Sequence, residues 1–275
     1  MMLSGHHDLL WMLVTRNLKI RYKGSTLGFL WSLLTPLSMI AIYAVFAGVL
    51  GLKRQLLGSG NGSFAYLPFL VTGIITWQFT AGTLGDALHA IVGNANLVKK
   101  VYFPRSILPL STALANAVNF LLTFVILLAY LVLCAALRPA GMLWLFPALA
   151  LHILLAFGIS LFVSTVNVFF RDAEHIVGLL QLAWFFMTPV MYETSLQSTA
   201  LNRFVWYPAN LHGLIFLNPM TGILALYRHA LMGMDLVPAG ISPLWILLSL
   251  AVSLVLLVLG FIVLRRGDRS FGDAL

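Results

Sequence analysis

Long uncharged and largely apolar runs alternate with short polar segments along the whole chain. Residues 24–52, 55–85, 106–137, 139–170 and 236–264 contain no Asp, Glu, Lys or Arg. A helix that crosses a bilayer needs about 20 apolar residues, and each of these runs is longer than that. The pattern therefore predicts an all-α polytopic membrane protein.

Six transmembrane helices follow from this pattern, within a single transmembrane domain that comprises residues 1–275. The spans are predicted at residues 29–50, 64–84, 107–137, 143–170, 176–192 and 243–264. Before the first span, apolar and basic side chains of residues 9–23 each recur at spacings of three and four, so that they fall on opposite faces of a helix. Such a pattern is typical of an amphipathic helix in the membrane interface.

Residues 204–227 are uncharged and about long enough to span, but they contain two prolines and two asparagines. Basic residues concentrate on the cytoplasmic side of membrane proteins. With a cytoplasmic N-terminus and six spans, 11 of the 16 Lys and Arg residues lie inside. A seventh span would move the basic residues at 265–269 outside. We therefore interpret residues 204–227 as a re-entrant segment of two short helices on the outer side, before the last span.

Composition agrees with a membrane protein and excludes several other classes. Charged residues make up 9% of the chain and hydrophobic ones 61%, whereas soluble domains have about 25% charged residues. The single cysteine, Cys134, excludes a disulfide framework. The net charge of +8 lies at the ends of apolar runs, as topology anchors do, so we expect no nucleic-acid partner.

Motifs for catalysis or nucleotide binding are absent from the sequence. There is no G-x-x-x-x-G-K-[ST] phosphate loop, no H-E-x-x-H zinc motif and no G-x-S-x-G nucleophile elbow. We expect no catalytic residue, no metal and no cofactor in this chain. His152 is the exception among ionisable side chains within the predicted spans, and we expect it to hydrogen-bond a neighbouring helix. Such a protein is either passive or takes its energy from a partner.

Four stretches carry a resemblance to a known family. They are RYKGSTLGFLWSLLTP at 21–36, NANLVKKVYFPRSILP at 94–109, NVFFRD at 167–172 with FMTPVMY at 186–192, and NPMTGILALYRHAL at 218–231. In this order they resemble the permease subunit of type-2 ABC exporters, in particular those that export polysaccharides such as O-antigen, capsule or teichoic acid. The resemblance covers most of the chain.

The resemblance implies a homodimer of this chain that binds two copies of a separate ABC ATPase subunit, which would hold ATP and Mg. It implies export of a polyprenyl-diphosphate-linked glycan through the bacterial inner membrane, with both termini in the cytoplasm and membrane lipids around the spans. Residues 94–105 resemble the cytoplasmic coupling loop of the family. The residues we expect at the ATPase contact are Asn96, Lys99, Lys100, Tyr102, Phe103, Arg105, Arg171, Asp172 and Glu174. The alternative is that Lys99, Lys100 and Arg105 only anchor the topology.

A cluster of basic residues on the N-terminal amphipathic helix suits the diphosphate of such a substrate, because clustered cations bind phosphate well. Its members are Arg16, Lys19, Arg21 and Lys23. Attraction to anionic lipid headgroups explains the same cluster equally well.

Aromatic side chains offer flat, sequence-tolerant contacts to sugar rings at low entropic cost. The candidates for lining a glycan conduit are Tyr43, Phe46, Trp77, Trp184, Phe185, Tyr192, Phe204, Trp206 and Tyr207. The alternative interpretation places Trp and Tyr in interfacial belts and Phe against lipid.

Three other functions remain open from the sequence. One is an exporter of a small drug or lipid with the same architecture. Another is a membrane-embedded glycosyl- or acyltransferase, for which the polar residues 171–175 would be the site. The third is a passive channel or scaffold that works without nucleotide.

Overall fold

The computed structural model describes residues 7–27, 30–49, 66–191, 217–234, 244–268 and 270–275. These residues are almost entirely helical, and none of them forms a strand. The α-helices are α1 His7–Tyr22, α2 Trp31–Val49, α3 Tyr66–Leu88, α4 Ala95–Lys100, α5 Ile107–Leu133, α6 Leu145–Phe169, α7 Ala173–Met187, α8 Pro219–Met232, α9 Leu244–Gly267 and α10 Phe271–Ala274. Two 3₁₀ turns, Val92–Asn94 and Pro139–Trp144, precede α4 and α6.

Four of the described helices are long and apolar enough to cross a membrane: α3, α5, α9, and α6 together with the turn before it. Helix α2 has 19 residues with Pro36 inside it. Helix α7 has 15 residues, or about 22 Å at 1.5 Å per residue, against a hydrocarbon core of about 30 Å. The all-α multi-pass architecture is confirmed, whereas the count of six spans stays a prediction.

The helix bundle has two ends that are defined by contacts. At the α4 end, α3 and α6 finish together, since Asn167 Nδ2 donates to the Leu88 carbonyl at 2.8 Å, and α4 and α10 lie beside them. At the α8 end, the Arg138 amide donates to the Leu231 carbonyl at 2.7 Å. The predicted topology places the α4 end in the cytoplasm and the α8 end outside.

Helix α9 packs mainly on α6, and glycines bring the two backbones together. A Cβ on Gly158 would lie 2.7 Å from the Leu257 amide nitrogen, and one on Gly260 would lie 2.8 Å from the Gly158 carbonyl oxygen. In a bilayer the apolar surface alone does not drive helices together, so close packing through small residues supplies much of the attraction.

Helix α8 occupies part of the segment that the sequence predicts as re-entrant. It runs to Met232, five residues beyond the predicted end at 227, while residues 204–216 lie outside the described residues. Its 14 residues extend over about 21 Å, which is too short to span. The Asn218 side chain accepts from the Met220 amide at its start, and Gly233, with φ of 64°, ends it in the left-handed region. The dip of two helices stays a prediction.

Helix α1 lies against α5 and buries Leu13 and Val14, whereas Trp11 is 60% exposed. The sequence places Trp11 and Val14 on one apolar face. The structure divides that face, because the bundle covers the Val14 side and leaves Trp11 outward.

Candidate functional site

The predicted coupling segment, residues 94–105, folds as the short helix α4 followed by an extended stretch. Asn96, Lys99 and Lys100 are exposed on α4, and the two lysines in its last turn complement the negative end of the helix dipole. The helix stops at Val101, whose φ of −127° and ψ of 134° are extended. The residues after it therefore turn alternate side chains to opposite sides.

Tyr102 and Phe103 show this alternation most clearly. The Tyr102 side chain is fully exposed, whereas Phe103 is 6% exposed. Phe103 belongs to a buried apolar cluster at the α4 end, which we call the α4-end cluster; its members are Leu13, Ile91, Val98, Phe103, Ile107, Leu108, Leu161, Val168, Leu264 and Phe271. Of this pair, only Tyr102 is available to another chain, and Phe103 fastens the segment to the bundle.

Arg105 also points back toward the bundle. Its Nη1 donates to the backbone carbonyl of Asp268 and lies 3.2 Å from the Asp268 carboxylate. Its Cζ lies 5.5 Å from the centroid of the Phe271 ring. Sequence reasoning missed Asp268 and Phe271, because no local pattern links residues so far apart along the chain.

The second predicted contact lies at the beginning of α7, at the same end of the bundle. Arg171, Asp172 and Glu174 are all exposed. Glu174 lies 3.7 Å from His89 Nε2, with both side chains 56% exposed. An exposed pair of this kind contributes little to stability, so these charges are available to a partner.

The four basic residues at positions 16–23, of which Lys23 directly follows the end of α1, divide into two groups. Arg16 Nη2 donates to Asn94 Oδ1 at 2.5 Å, and Arg21 pairs with the Asp86 carboxylate and donates to Asn116 Oδ1 at 3.0 Å. Lys19 and Lys23 are exposed. The arginines thus fasten α1 to the bundle, and the lysines face outward.

A polar cleft of about 340 Å³ lies between α1 and the adjoining parts of α3 and α5. Its polar lining residues are Asn17, Arg21, Asp86, His89, Asn94, Thr112 and Asn116. The Asp86 carboxylate accepts a hydrogen bond from Asn116 Nδ2 at 2.8 Å and pairs with Arg21. Its negative charge therefore balances the positive charge of that guanidinium. The charge of this cleft is therefore mixed rather than strongly positive.

Three of the predicted conduit aromatics form one cluster inside the chain. The Trp77 ring meets Trp184 edge-on at 5.5 Å between centroids and lies 5.6 Å from Phe185. Trp77 is 6% exposed, so its ring packs against protein in this conformation. Trp184 Nε1 donates to Asn218 Oδ1 at 2.8 Å, which joins α7 to the first residues of α8.

The other predicted aromatics cannot be placed in the site. Tyr43 and Phe46 lie on α2, but their side chains are outside the description. Tyr192, Phe204, Trp206 and Tyr207 lie outside the described residues altogether. Their contact with a glycan stays a prediction.

His152 is fully buried between helices. Its Nε2 lies 2.7 Å from Thr80 Oγ1, and its Nδ1 lies 3.4 Å from the Tyr227 hydroxyl. The expectation of a hydrogen bond to a neighbouring helix is confirmed. Among the residues that the structure describes, no group of three His, Cys, Asp or Glu side chains could hold a metal ion.

Residues 8–207 match the ABC-2 type transporter family. An O-antigen export system permease protein, RfbA, of Klebsiella pneumoniae is 31% identical over 269 residues, which cover 98% of this chain and 95% of that protein. A second protein of that name, from Myxococcus xanthus, is 33% identical over 228 residues, covering 82% of this chain and 81% of that protein.

Proposed function

The chain belongs to the ABC-2 type transporter family and is a transmembrane subunit of a polysaccharide exporter, and we propose that it moves a lipid-linked, O-antigen-like polysaccharide from the cytoplasm across the bacterial inner membrane. The observation that carries this proposal is the match to the Klebsiella permease over nearly the whole length of both proteins.

ATP would be bound and hydrolysed by a separate ATPase subunit, two copies of which would bind a homodimer of this chain. The exposed side chains of the coupling segment support such a contact, because Tyr102 is fully exposed and follows the exposed Lys99 and Lys100. The apolar side chains of α7 support a second copy: Leu179 is 72% exposed and Phe186 63% exposed. Helix α7 is about 22 Å long, which is shorter than the hydrocarbon core. If a second protomer covered these side chains, α7 would not be exposed to this difference in length.

The exposed Lys19 on α1 and Lys23 just after it would receive the diphosphate of the lipid carrier at the cytoplasmic surface. Lys19 and Lys23 support this role by facing outward, and Arg16 and Arg21 hold α1 in place behind them. Neutralising Lys19 and Lys23 together should abolish export and leave membrane insertion and ATPase binding intact. Normal export by that double variant would assign the lysines to anionic lipid headgroups instead.

The decisive experiment is gentle purification from the native membrane, followed by reconstitution of the purified complex into proteoliposomes with lipid-linked glycan on one side. We expect an ATPase subunit in equal amount and ATP-dependent transfer of the glycan to the other side. Transfer of short lipids or drugs but not of the glycan would favour the small-molecule exporter. Transfer without nucleotide would favour a passive channel, and chemical change of the glycan would favour a membrane-embedded transferase.

A further inference from the structure

The end of α9 and the residues after it fold back onto the coupling segment. Phe271 is completely buried in the α4-end cluster, together with Phe103 and Val98. Its ring centroid lies 5.7 Å from that of Phe169 at the end of α6. A single side chain beyond α9 therefore joins α9, α6 and the coupling segment.

The close fit at Gly267 makes this arrangement specific. A Cβ on that residue would lie 2.9 Å from Phe169 Cε2 and 3.0 Å from Phe271 Cε1. A larger residue would force the Phe169 ring to move and would crowd the Phe271 ring, because a Cβ approaches the two rings to 2.9 and 3.0 Å. The chain can turn from α9 into α10 with both rings in place because Gly267 has no side chain.

Arg105 adds a polar connection beside the apolar one. It reaches both the backbone carbonyl and the carboxylate of Asp268 and covers the Phe271 ring. The Arg105 side chain is 23% exposed and that of Asp268 is 48% exposed, so the pair is partly shielded from water. The hydrogen bond from the Arg105 guanidinium to the Asp268 carbonyl is charge-assisted, and such a bond fixes geometry better than an exposed ion pair does.

We propose that residues 267–268 and 270–275 form a positioning element, the C-terminal clamp, which holds the coupling segment to α9 so that a force applied at Tyr102 moves α5, α6 and α9 together. Asp268 and Phe271 act through Arg105 and Phe103 and need not touch the partner subunit themselves. Closely packed side chains transmit displacement because protein interiors have few voids to absorb it. Without the clamp the coupling segment moves while α9 stays in place, and ATP is hydrolysed with little export. This inference rests on the proposed coupling of the chain to an ATPase.

The test is the amount of polysaccharide exported for each ATP hydrolysed by the reconstituted complex. For Phe271→Ala we expect this ratio to fall roughly three- to tenfold, which lies within the range by which mutations in a coupled network change the coupling. Asp268→Asn keeps the shape and removes the ion pair, and its ratio should lie between those of wild type and Phe271→Ala. Phe261→Ala is the control truncation of a phenylalanine, since Phe261 lies on α9, is 37% exposed and is not part of the α4-end cluster.

The ratio separates positioning from general damage. A merely structural defect would lower the amount of folded complex and reduce export and ATP hydrolysis in parallel, with the ratio unchanged. Phe271→Leu retains a large apolar side chain and should recover most of the ratio. The clamp is overturned if Phe271→Ala and Asp268→Asn both show the same ratio as Phe261→Ala. If the proposed function itself fails, wild type shows no ATP-dependent export, which distinguishes the two failures.

Discussion

The guanidinium of Arg228 lies over the ring of Phe69, with Cζ 3.5 Å from the centroid of the ring. The same side chain donates to the carbonyls of Pro189 and Val190, each at 2.7 Å. Arg228 is 4% exposed and lies on α8, Phe69 lies near the beginning of α3, and the two carbonyls follow α7. One buried cation thus joins three parts of the α8 end, through the planar fork and aromatic stacking that distinguish Arg from Lys.

Replacing Arg228 with Met should therefore destabilise the α8 end. The substitution leaves the carbonyls of Pro189 and Val190 without these donors, and each buried group left unsatisfied costs about 1–3 kcal/mol. Unfolding followed in detergent should show a lower midpoint for Arg228→Met and a smaller loss for Arg228→Lys, which keeps the charge but not the fork. Equal stability of Arg228→Met and wild type would remove the structural role assigned to this cation.

The contact between α6 and α9 gives a second prediction. Gly158→Ala should separate the helices, because the added Cβ would meet the Leu257 backbone at 2.7 Å and backbone atoms cannot rotate away. Overpacking of this kind costs about 1–3 kcal/mol. Gly85→Ala is the control, since a Cβ there meets nothing within 4 Å. A comparison of the thermal midpoints of the two purified variants checks the prediction, and equal midpoints would contradict it.

The sequence predicts the helices of this fold well where charged residues bound the apolar runs. Helix α5 begins at 107, as the predicted third span does, because Arg105 and Ser106 end the polar segment there. Hydrophobicity shows less clearly where a helix ends inside an apolar segment. The predicted span 107–137 therefore continues four residues beyond Leu133, where α5 ends.

Prediction of the candidate site is limited by partners that are distant in sequence. The pairs Arg21–Asp86 and Arg105–Asp268 join helices that only the folded bundle brings together. The sequence alone therefore predicts that Arg21 binds the substrate diphosphate, and that Arg105 contacts the ATPase or anchors the topology. The sequence also does not predict that Phe103 is buried while Tyr102 is exposed, because an extended stretch of a few residues is too short to show a periodic pattern.

Those two neighbours provide a third prediction. Tyr102→Ala should leave the thermal midpoint unchanged, because the side chain is fully exposed, and should reduce ATP-dependent export through loss of a contact to the partner. Phe103→Ala should lower stability by about 3–5 kcal/mol, as truncation of a buried Phe does. Unfolding and export measured on the same two preparations check both statements. Full export by Tyr102→Ala would place the coupling contact elsewhere.

The last prediction concerns the source of energy. Both ring nitrogens of His152 face hydroxyl groups of the same chain, Thr80 Oγ1 at 2.7 Å and the Tyr227 hydroxyl at 3.4 Å, and the Phe79 ring lies 4.6 Å from the imidazole. This environment indicates a residue that fastens α3, α6 and α8 together rather than one that carries protons.

His152→Ala should consequently lower stability by about 2–4 kcal/mol, since it leaves a cavity and removes the imidazole that two buried hydroxyl groups contact. Dissipating the proton gradient across proteoliposomes with an ionophore should leave ATP-driven export by the wild-type complex unchanged. If export slows on adding the ionophore, and the export that His152→Ala retains does not respond to it, the histidine carries protons and the structural role is wrong. The two measurements are independent, because stability reports the packing of the three helices and the ionophore reports the driving force.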